Sequence, residues 1–321
     1  MINKIIIVAG DPNSINSELI FKTYKKLNKT KKKSIYLIGN FKLLKDQLKK
    51  LKFKVGLTKL NSINNNSNSQ NKLKIIDIPL NFNKPFNVSR KEAIKYIKKS
   101  LDLAHELAIS KKVKGIINCP INKQLLEKSK NKGVTEYLAK KCGITNKSEI
   151  MMIHNQKLSV VPITTHIDIK NIEKTLSSNL IIKKVISLDL NFKKIFNYRA
   201  KIGLLGLNPH NGEFLKNSKE KLHIIPSIIK LKKKGIKING PLSPDTVFIQ
   251  EFKKYDVLVG MYHDQVLSPF KAIFHFDAIN VTLGLKYLRV SPDHGPAINL
   301  IGKNKANFLS LLKCINFLEK R

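Results

Sequence analysis

Short apolar runs rich in isoleucine and valine recur along this chain, separated by stretches whose apolar residues fall at helical spacing. A continuous apolar run suits a strand buried on both faces, and an amphipathic stretch between two such strands supplies the cover. The alternation predicts an α/β fold: mixed, mostly parallel sheets covered by helices. Ile5 to Ala9 reads as the first strand, and Ile35 to Ile38 and Gly115 to Asn118 as later ones. Ser89 and Glu92 form a capping-box pattern that opens a long helix, with Ala93, Ile97, Leu101, Ala104 and Ala108 on its core face. A helix is expected after Pro120, helical cover over Asp168 to Leu188 and Ser218 to Lys234, and a closing helix over Phe308 to Leu318. The Asn- and Ser-rich stretch from Asn61 to Asn71 reads as a mobile surface loop.

Chemistry concentrates where three apolar runs stop. Val257 to Met261 leads into Tyr262-His263-Asp264-Gln265 and on through Pro269 to Lys271. Ile202 to Leu205 leads into Gly206-Leu207-Asn208-Pro209-His210-Asn211-Gly212-Glu213, and Val160 to Ile163 into Thr164-Thr165-His166. A single histidine after a strand is most often an ordinary loop residue. Three in the same position suggest one site on rigid backbone, and imidazole is the commonest metal-binding side chain. His105, inside a helical pattern, and His154, His223 and His275 read as structural or surface groups.

The 321 residues are enough to bury a sizeable core. The three cysteines, Cys119, Cys142 and Cys314, are few and widely spaced, which fits a reducing compartment and leaves no CxxC cluster. Cytoplasm is the expected location: no apolar run approaches the roughly 20 residues of a membrane span, and no cleavable signal pattern precedes the first strand. A formal net charge of +38 raises the alternative of a nucleic-acid-binding protein. The lysines are spread along the whole chain, accompany many asparagines and isoleucines as in AT-biased coding sequences, and lack an aromatic RNA-binding signature. Solvated faces account for that pattern better than specific nucleic-acid binding does.

With these segments in order, the chain resembles the 4-hydroxythreonine-4-phosphate dehydrogenases of vitamin B6 biosynthesis. The matching segments are Gly10-Asp11-Pro12, Cys119 to Lys123, Thr135 to Ala139, Thr164 to His166, Gly206 to Glu213, Gly240 to Thr246, Tyr262 to Gln265, Asn280 to Leu285 and Asp293 to Gly295. The resemblance implies a two-domain fold like that of isocitrate and isopropylmalate dehydrogenases, with the active site in the cleft between domains. The whole of 1–321 would then be one catalytic unit of two interleaved α/β subdomains, whose boundary the sequence does not mark. It also implies NAD or NADP without a Gly-x-Gly-x-x-Gly fingerprint, held in part by His294, Gly295 and Asn299 in the Asp293 to Gly302 loop, where glycines let backbone approach a ligand.

By the same resemblance, His166, His210 and His263 are metal ligands and catalytic residues, Lys271 is catalytic, and Thr135, Lys271, Asn280 and Arg289 contact the substrate. Three neutral imidazoles suit zinc or cobalt and leave positions open for substrate, and magnesium would serve if waters and substrate completed its shell. The implied reaction oxidises 4-phosphohydroxy-L-threonine to a β-keto acid that loses carbon dioxide to give 3-amino-2-oxopropyl phosphate. The implied assembly is a homodimer with a shared active site, in which the partner contributes His263. Asp245, Asp264 and Asp293 are candidates to orient histidines or the substrate amine.

The chain departs from the family pattern at three places. Gly133-Val134-Thr135-Glu136 has valine where the family has histidine, which removes a side-chain donor from the substrate site. Asn13, Ser14, Asn16 and Ser17 occupy a loop that is glycine-rich in the family, adding side chains where backbone is expected to pass close to something. Pro296 and Asn299 replace threonine and aspartate in the cofactor loop. Val134 keeps open a paralogous activity on D-threonate or D-erythronate 4-phosphate.

Overall fold

The computed structural model describes residues 3–64, 71–126, 133–144 and 148–321. Residues 65–70 of the Asn- and Ser-rich stretch lie outside them. In chain order the first elements are β1 (Ile5–Val8), α1 (Asn16–Lys26), α2 (Lys29–Ser34), β2 (Ile35–Gly39), α3 (Phe41–Lys50), β3 (Leu57–Leu60), β4 (Leu73–Asp77), α4 (Arg90–Ile109), β5 (Gly115–Asn118) and α5 (Val134–Lys141). There follow β6 (Ile150–His154), β7 (Ser159–Thr164), α6 (Ile172–Thr175), α7 (Ser178–Phe196), β8 (Ile202–Leu205), α8 (Ile225–Lys233), β9 (Ile238–Leu242), α9 (Pro244–Val247), β10 (Val257–Tyr262), α10 (His263–Phe274) and β11 (Ile279–Leu283). The last elements are β12 (Leu288–Pro292) and α11 (Leu309–Glu319).

These elements form two compact units: unit 1 joins Met1–Cys142 to Lys286–Arg321, and unit 2 is the continuous segment Gly143–Leu285. In unit 1 the strands run β3-β4-β2-β1-β5-β12, every neighbouring pair parallel. All four β1 residues are buried, as expected for a strand covered on both faces. Helix α4 presents Ala93, Tyr96, Ile97, Leu101, Ala104 and Ala108 to the core. Ser89 Oγ accepts the Glu92 N–H at 3.4 Å at its start.

In unit 2 the order is β11-β6-β7-β10-β8-β9. Strands β11, β6 and β7 pair antiparallel, and β7, β10, β8 and β9 parallel. Under the parallel strands lies a core that includes Val160, Leu205, Val247, Leu258, Val266 and Phe270.

Two helical expectations resolve differently. After Pro120 the described residues up to 126 form a 3-10 turn, Lys123–Leu125, with the Asn122 side chain accepting from the Gln124 N–H; the next described helix is α5. The cover expected over Asp168 to Leu188 is interrupted: Leu176 is extended, and Ser177 begins a new helix by accepting the Leu180 N–H. A serine able to cap is competing there with continued helix, and the cap prevails.

Candidate active site

Register explains why two of the three histidines meet. Within unit 2 Tyr262 pairs with Thr164, so the chain leaves β10 and β7 at the same edge of the sheet. His263 follows Tyr262 directly and His166 lies two residues past Thr164. Their rings stand 5.9 Å apart, centroid to centroid, tilted by 38°. Thr164 Oγ1 donates to the Met261 carbonyl at 2.7 Å. Gln265 Oε1 accepts the Met261 N–H at 2.7 Å, and its Nε2 donates to the Gly206 carbonyl at 2.7 Å. Thr164 and Gln265 thereby tie the ends of β7, β10 and β8 together. His263 Nδ1 lies 2.9 Å from Asp264 Oδ1. With its proton on Nδ1 donated there, His263 offers its Nε2 lone pair outward.

His210 leaves the end of β8 on unusual backbone. His210, Asn211, Gly212, Glu213 and Phe214 all have positive φ, between 47° and 61°, a left-handed turn that L-residues enter at a cost. His166 also has a positive φ, 46°. The entrance to the turn is fixed by Glu220, which is fully buried. Glu220 Oε1 accepts the Leu207 and Asn208 N–H groups, each at 2.8 Å, and Oε2 accepts from Asn208 Nδ2 at 3.0 Å. Burial alone would raise the Glu220 carboxyl, but the hydrogen bonds from Asn208 and Leu207 outweigh it and hold the group below its ordinary value.

The turn leaves no room at its hinge. A Cβ on Gly206 would sit 2.1 Å from Asn211 Oδ1, and Asn211 is buried with its Nδ2 donating to the Pro241 carbonyl at 3.3 Å. Gly206→Ala is therefore expected to lower unfolding stability by about 1–3 kcal/mol through overpacking. Urea denaturation checks this, and an unchanged midpoint would mean that the turn gives way freely.

As donors, the His166 and His263 rings fit a shared borderline divalent ion. Among the described residues no group of three or more His, Cys, Asp or Glu is arranged to hold a metal.

Unit 1 holds a second constellation. Arg289 on β12 pairs in register with Ile116 on β5, and Asn118, two residues on, shares that face of the sheet. Arg289 Nε donates to Asn118 Oδ1 at 2.5 Å, and Nη1 to Thr135 Oγ1, in the first turn of α5, at 3.4 Å. The guanidinium is buried, which pushes its pKa down to about 10, while nearby Cys314, Glu136 and Tyr287 work in the opposite direction. It remains charged at neutral pH. Val134, beside Thr135, is half-buried.

The cofactor loop expected around His294, Gly295 and Asn299 also belongs to unit 1. Asp293 N–H donates to Ser310 Oγ at 3.1 Å, and His294 Nδ1 lies 3.0 Å from the Gly295 carbonyl. At both Gly295 and Gly302 the place a Cβ would take is open, with nothing within 4 Å, and Asn299 is exposed. That open, exposed backbone fits close approach of an extended ligand. The Ile15 N–H donates to the Pro296 carbonyl at 3.3 Å, so the altered loop at the first strand lies against this one.

The side chains in that altered loop do not crowd it. Asn16 Nδ2 donates to the Ala9 and Pro120 carbonyls at 2.9 and 2.7 Å. Asn13 exchanges a reciprocal pair of bonds with Val88, both 2.8 Å. Ser14 Oγ donates to the Asp11 carbonyl at 2.6 Å. Interior hydrogen bonds absorb these donors, while Asn16 Oδ1 and Ser17 Oγ are buried without a partner among the described residues.

The remaining assigned residues are placed as follows. Asn280 lies on β11, and its Oδ1 is buried without a hydrogen-bond partner among the described residues, a cost that a donating ligand would relieve. Lys271 is exposed on α10 and Asp245 on α9. His105 Nδ1 lies 2.9 Å from the Tyr287 hydroxyl. Sequence reasoning missed Asn118, Thr164 and Glu220 as supports of the site. Asn118 and Thr164 carried one signal, a polar residue closing an apolar run.

In unit 2 strand ends that gather imidazoles and amides, and in unit 1 a buried guanidinium bonded to the amide that closes β5, define an α/β enzyme acting on a small polar molecule. The family described as pyridoxal phosphate biosynthetic protein PdxA matches residues 31–318. This chain belongs to that family and is an oxidoreductase of pyridoxine biosynthesis. It is 36% identical to the 4-hydroxythreonine-4-phosphate dehydrogenase of Aquifex aeolicus, over 99% of this chain and 98% of that one. It is 35% identical to the D-threonate 4-phosphate dehydrogenase of Pectobacterium atrosepticum, over 63% of each. A crystal structure of the Klebsiella pneumoniae 4-hydroxythreonine-4-phosphate dehydrogenase superposes with a TM-score of 0.85 at 28% identity, covering 99% of this chain and 98% of that one. Among the described residues no helix is long and apolar enough to cross a membrane.

Proposed function

We propose that this chain catalyses the metal-dependent, NAD- or NADP-linked oxidation of 4-phosphohydroxy-L-threonine to a β-keto acid, which decarboxylates to 3-amino-2-oxopropyl phosphate. The observation that carries the reading is the convergence of His166 and His263 at the ends of β7 and β10, in a chain whose relatives act on phosphorylated four-carbon hydroxy acids.

His166, His210 and His263 are the residues that would hold the ion. A divalent metal held there would supply Lewis acidity toward the substrate alcohol, and a bound nicotinamide would supply hydride-acceptor chemistry. Thr164, Gln265 and Asp264 keep the imidazoles in place, so little reorganisation is needed when substrate binds. Arg289, with Thr135, is assigned to the phosphate, where a guanidinium makes short charge-assisted bonds. Lys271 is assigned to the substrate as a cation and proton-transfer group, and Asn280 as a hydrogen-bond acceptor whose buried oxygen matches a donor such as the substrate amine. His294, Gly295 and Asn299 are assigned to the nicotinamide dinucleotide, consistent with the open backbone at Gly295.

The assembly that fits this reading is a cytoplasmic homodimer with a shared active site; family resemblance gives His263 as the partner's contribution, whereas within one chain His263 already stands beside His166.

The test is reduction of NAD and NADP by purified protein with 4-phosphohydroxy-L-threonine and added zinc, cobalt or magnesium, beside His210→Ala. Metal-dependent turnover that falls at least about 100-fold in His210→Ala is expected. A preference for D-threonate or D-erythronate 4-phosphate would instead assign the paralogous activity, which Val134 favours by removing a side-chain donor from the substrate site. Turnover unaffected by chelation would overturn the metal assignment.

A further inference from the structure

We propose that Glu220 is a positioning residue for His210: a buried carboxylate whose three hydrogen bonds hold open the left-handed turn that carries the imidazole. This rests on the reading of His210 as a metal ligand. Five consecutive residues, His210 to Phe214, have positive φ, and only Gly212 among them enters that region without steric penalty. Such a turn persists only where its surroundings over-determine it.

Within the turn, a 3-10 helix over Pro209–Phe214, the backbone bonds include Asn211 N–H donating to the Asn208 carbonyl and Leu215 N–H to the Gly212 carbonyl. A further restraint comes from outside. Glu220 gathers two successive backbone N–H groups, of Leu207 and Asn208, on one oxygen and the Asn208 side chain on the other. All three donors immediately precede Pro209 and His210, so the carboxylate fixes where the turn begins. It also bounds the turn at its middle, since a Cβ on Gly212 would lie 3.0 Å from Glu220 Oε2. Fully buried, the carboxylate is a costly group, and its bonds to Leu207 and Asn208 go to the approach to His210. Gln265 holds the same approach one residue earlier, through the Gly206 carbonyl. Glu220 therefore acts on His210 while Gln265 links that loop to the strand bearing His263.

The experiment compares full-length wild type, Glu220→Gln, Glu220→Ala and His210→Ala, using cobaltous ion alone as the probe. Four readouts are taken: cobalt affinity and visible absorption, amide hydrogen exchange over residues 207–214, kcat and KM, and thermal melting. Glu220→Gln keeps one acceptor oxygen for the two backbone donors, so it guards against outright misfolding and serves as the conservative rescue. Exchange in 207–214 at least 10-fold faster in Glu220→Ala, cobalt affinity at least 10-fold weaker with an altered absorption band, kcat reduced with KM nearly unchanged, and Glu220→Gln falling between Glu220→Ala and wild type, would support the proposal.

Wild-type exchange and wild-type cobalt absorption in both Glu220 variants, whatever their melting temperatures, would overturn it while leaving His210 a ligand. Wild-type cobalt affinity in His210→Ala would instead overturn the ligand reading, and with it the functional part of this inference. Faster exchange in the Glu220 variants would then mark Glu220 as a structural support only.

Discussion

Arg289→Met is expected to raise KM for the phosphorylated substrate by roughly 10- to 100-fold while changing unfolding stability by no more than about 2 kcal/mol. The two effects separate because they have different origins. A hydrogen bond to a charged group contributes roughly 1.5–3 kcal/mol to binding, and a phosphate that loses its guanidinium forfeits that amount. In the folded protein, by contrast, Arg289 is buried and its pKa is pushed down to about 10, so the site already pays to keep it charged. Replacing a buried ion with an apolar side chain of similar length is often close to neutral for stability. The remaining loss comes from the Asn118 and Thr135 oxygens that Arg289 now serves. Arg289→Lys is expected to recover little of the KM, since one ammonium does not reproduce a fork that bonds Asn118 and Thr135 together. Between pH 6 and 8 the wild-type guanidinium stays protonated and contributes no pH dependence to KM. Steady-state kinetics beside urea denaturation make the comparison, and a large stability loss with unchanged KM would make Arg289 a structural group.

His166→Ala and His263→Ala are each expected to lower kcat/KM by about 1,000-fold, and the double variant by little more than either single one. Losing one preorganised electrostatic group at a reaction centre costs on the order of 100- to 1,000-fold, and groups that act as a unit are strongly non-additive. The two rings, 5.9 Å apart, would be such a unit. Neither variant should unfold the protein, because both rings lie beyond the last residues of their strands. If the double variant showed the product of the two single losses, the histidines would be acting independently and a shared ion would be excluded.

How far the sequence disclosed this arrangement depends on which forces act locally. The strands of the parallel sheets were legible because strands buried on both faces must be apolar throughout, as in Ile5-Ile6-Ile7-Val8 and Val257 to Met261. The ends of those runs pointed to His166, His210 and His263 for the same reason. Register was not legible: nothing in the one-dimensional string says that Tyr262 pairs with Thr164, yet that pairing brings His166 beside His263. Glu220 was hidden for a different reason. Among lysines and other polar residues it reads as a solvated charge, and only the three-dimensional turn at Leu207 and Asn208 supplies the donors that let it be buried. Thr135 and Arg289 came from family resemblance alone, since two polar residues so far apart in a lysine-rich chain carry no local mark. Ser14 and Asn16 show the converse: glycine replacements that look disruptive in sequence have side-chain donors that are accommodated because carbonyls of Ala9, Asp11 and Pro120 wait within reach.

The division of unit 1 between Met1–Cys142 and Lys286–Arg321 sets an order of assembly during synthesis. On the ribosome, β5 emerges long before β12, and until then its outer edge lacks the partner that covers it in the finished sheet. Unit 2, continuous in the chain, can complete its own fold in that interval, as domains made in one piece generally do. Arg289 arrives only with β12. The bonds that Arg289 makes to Asn118 and Thr135 are thus absent from every nascent chain until β12 has been made, and an exposed strand edge is the vulnerability of the intervening period.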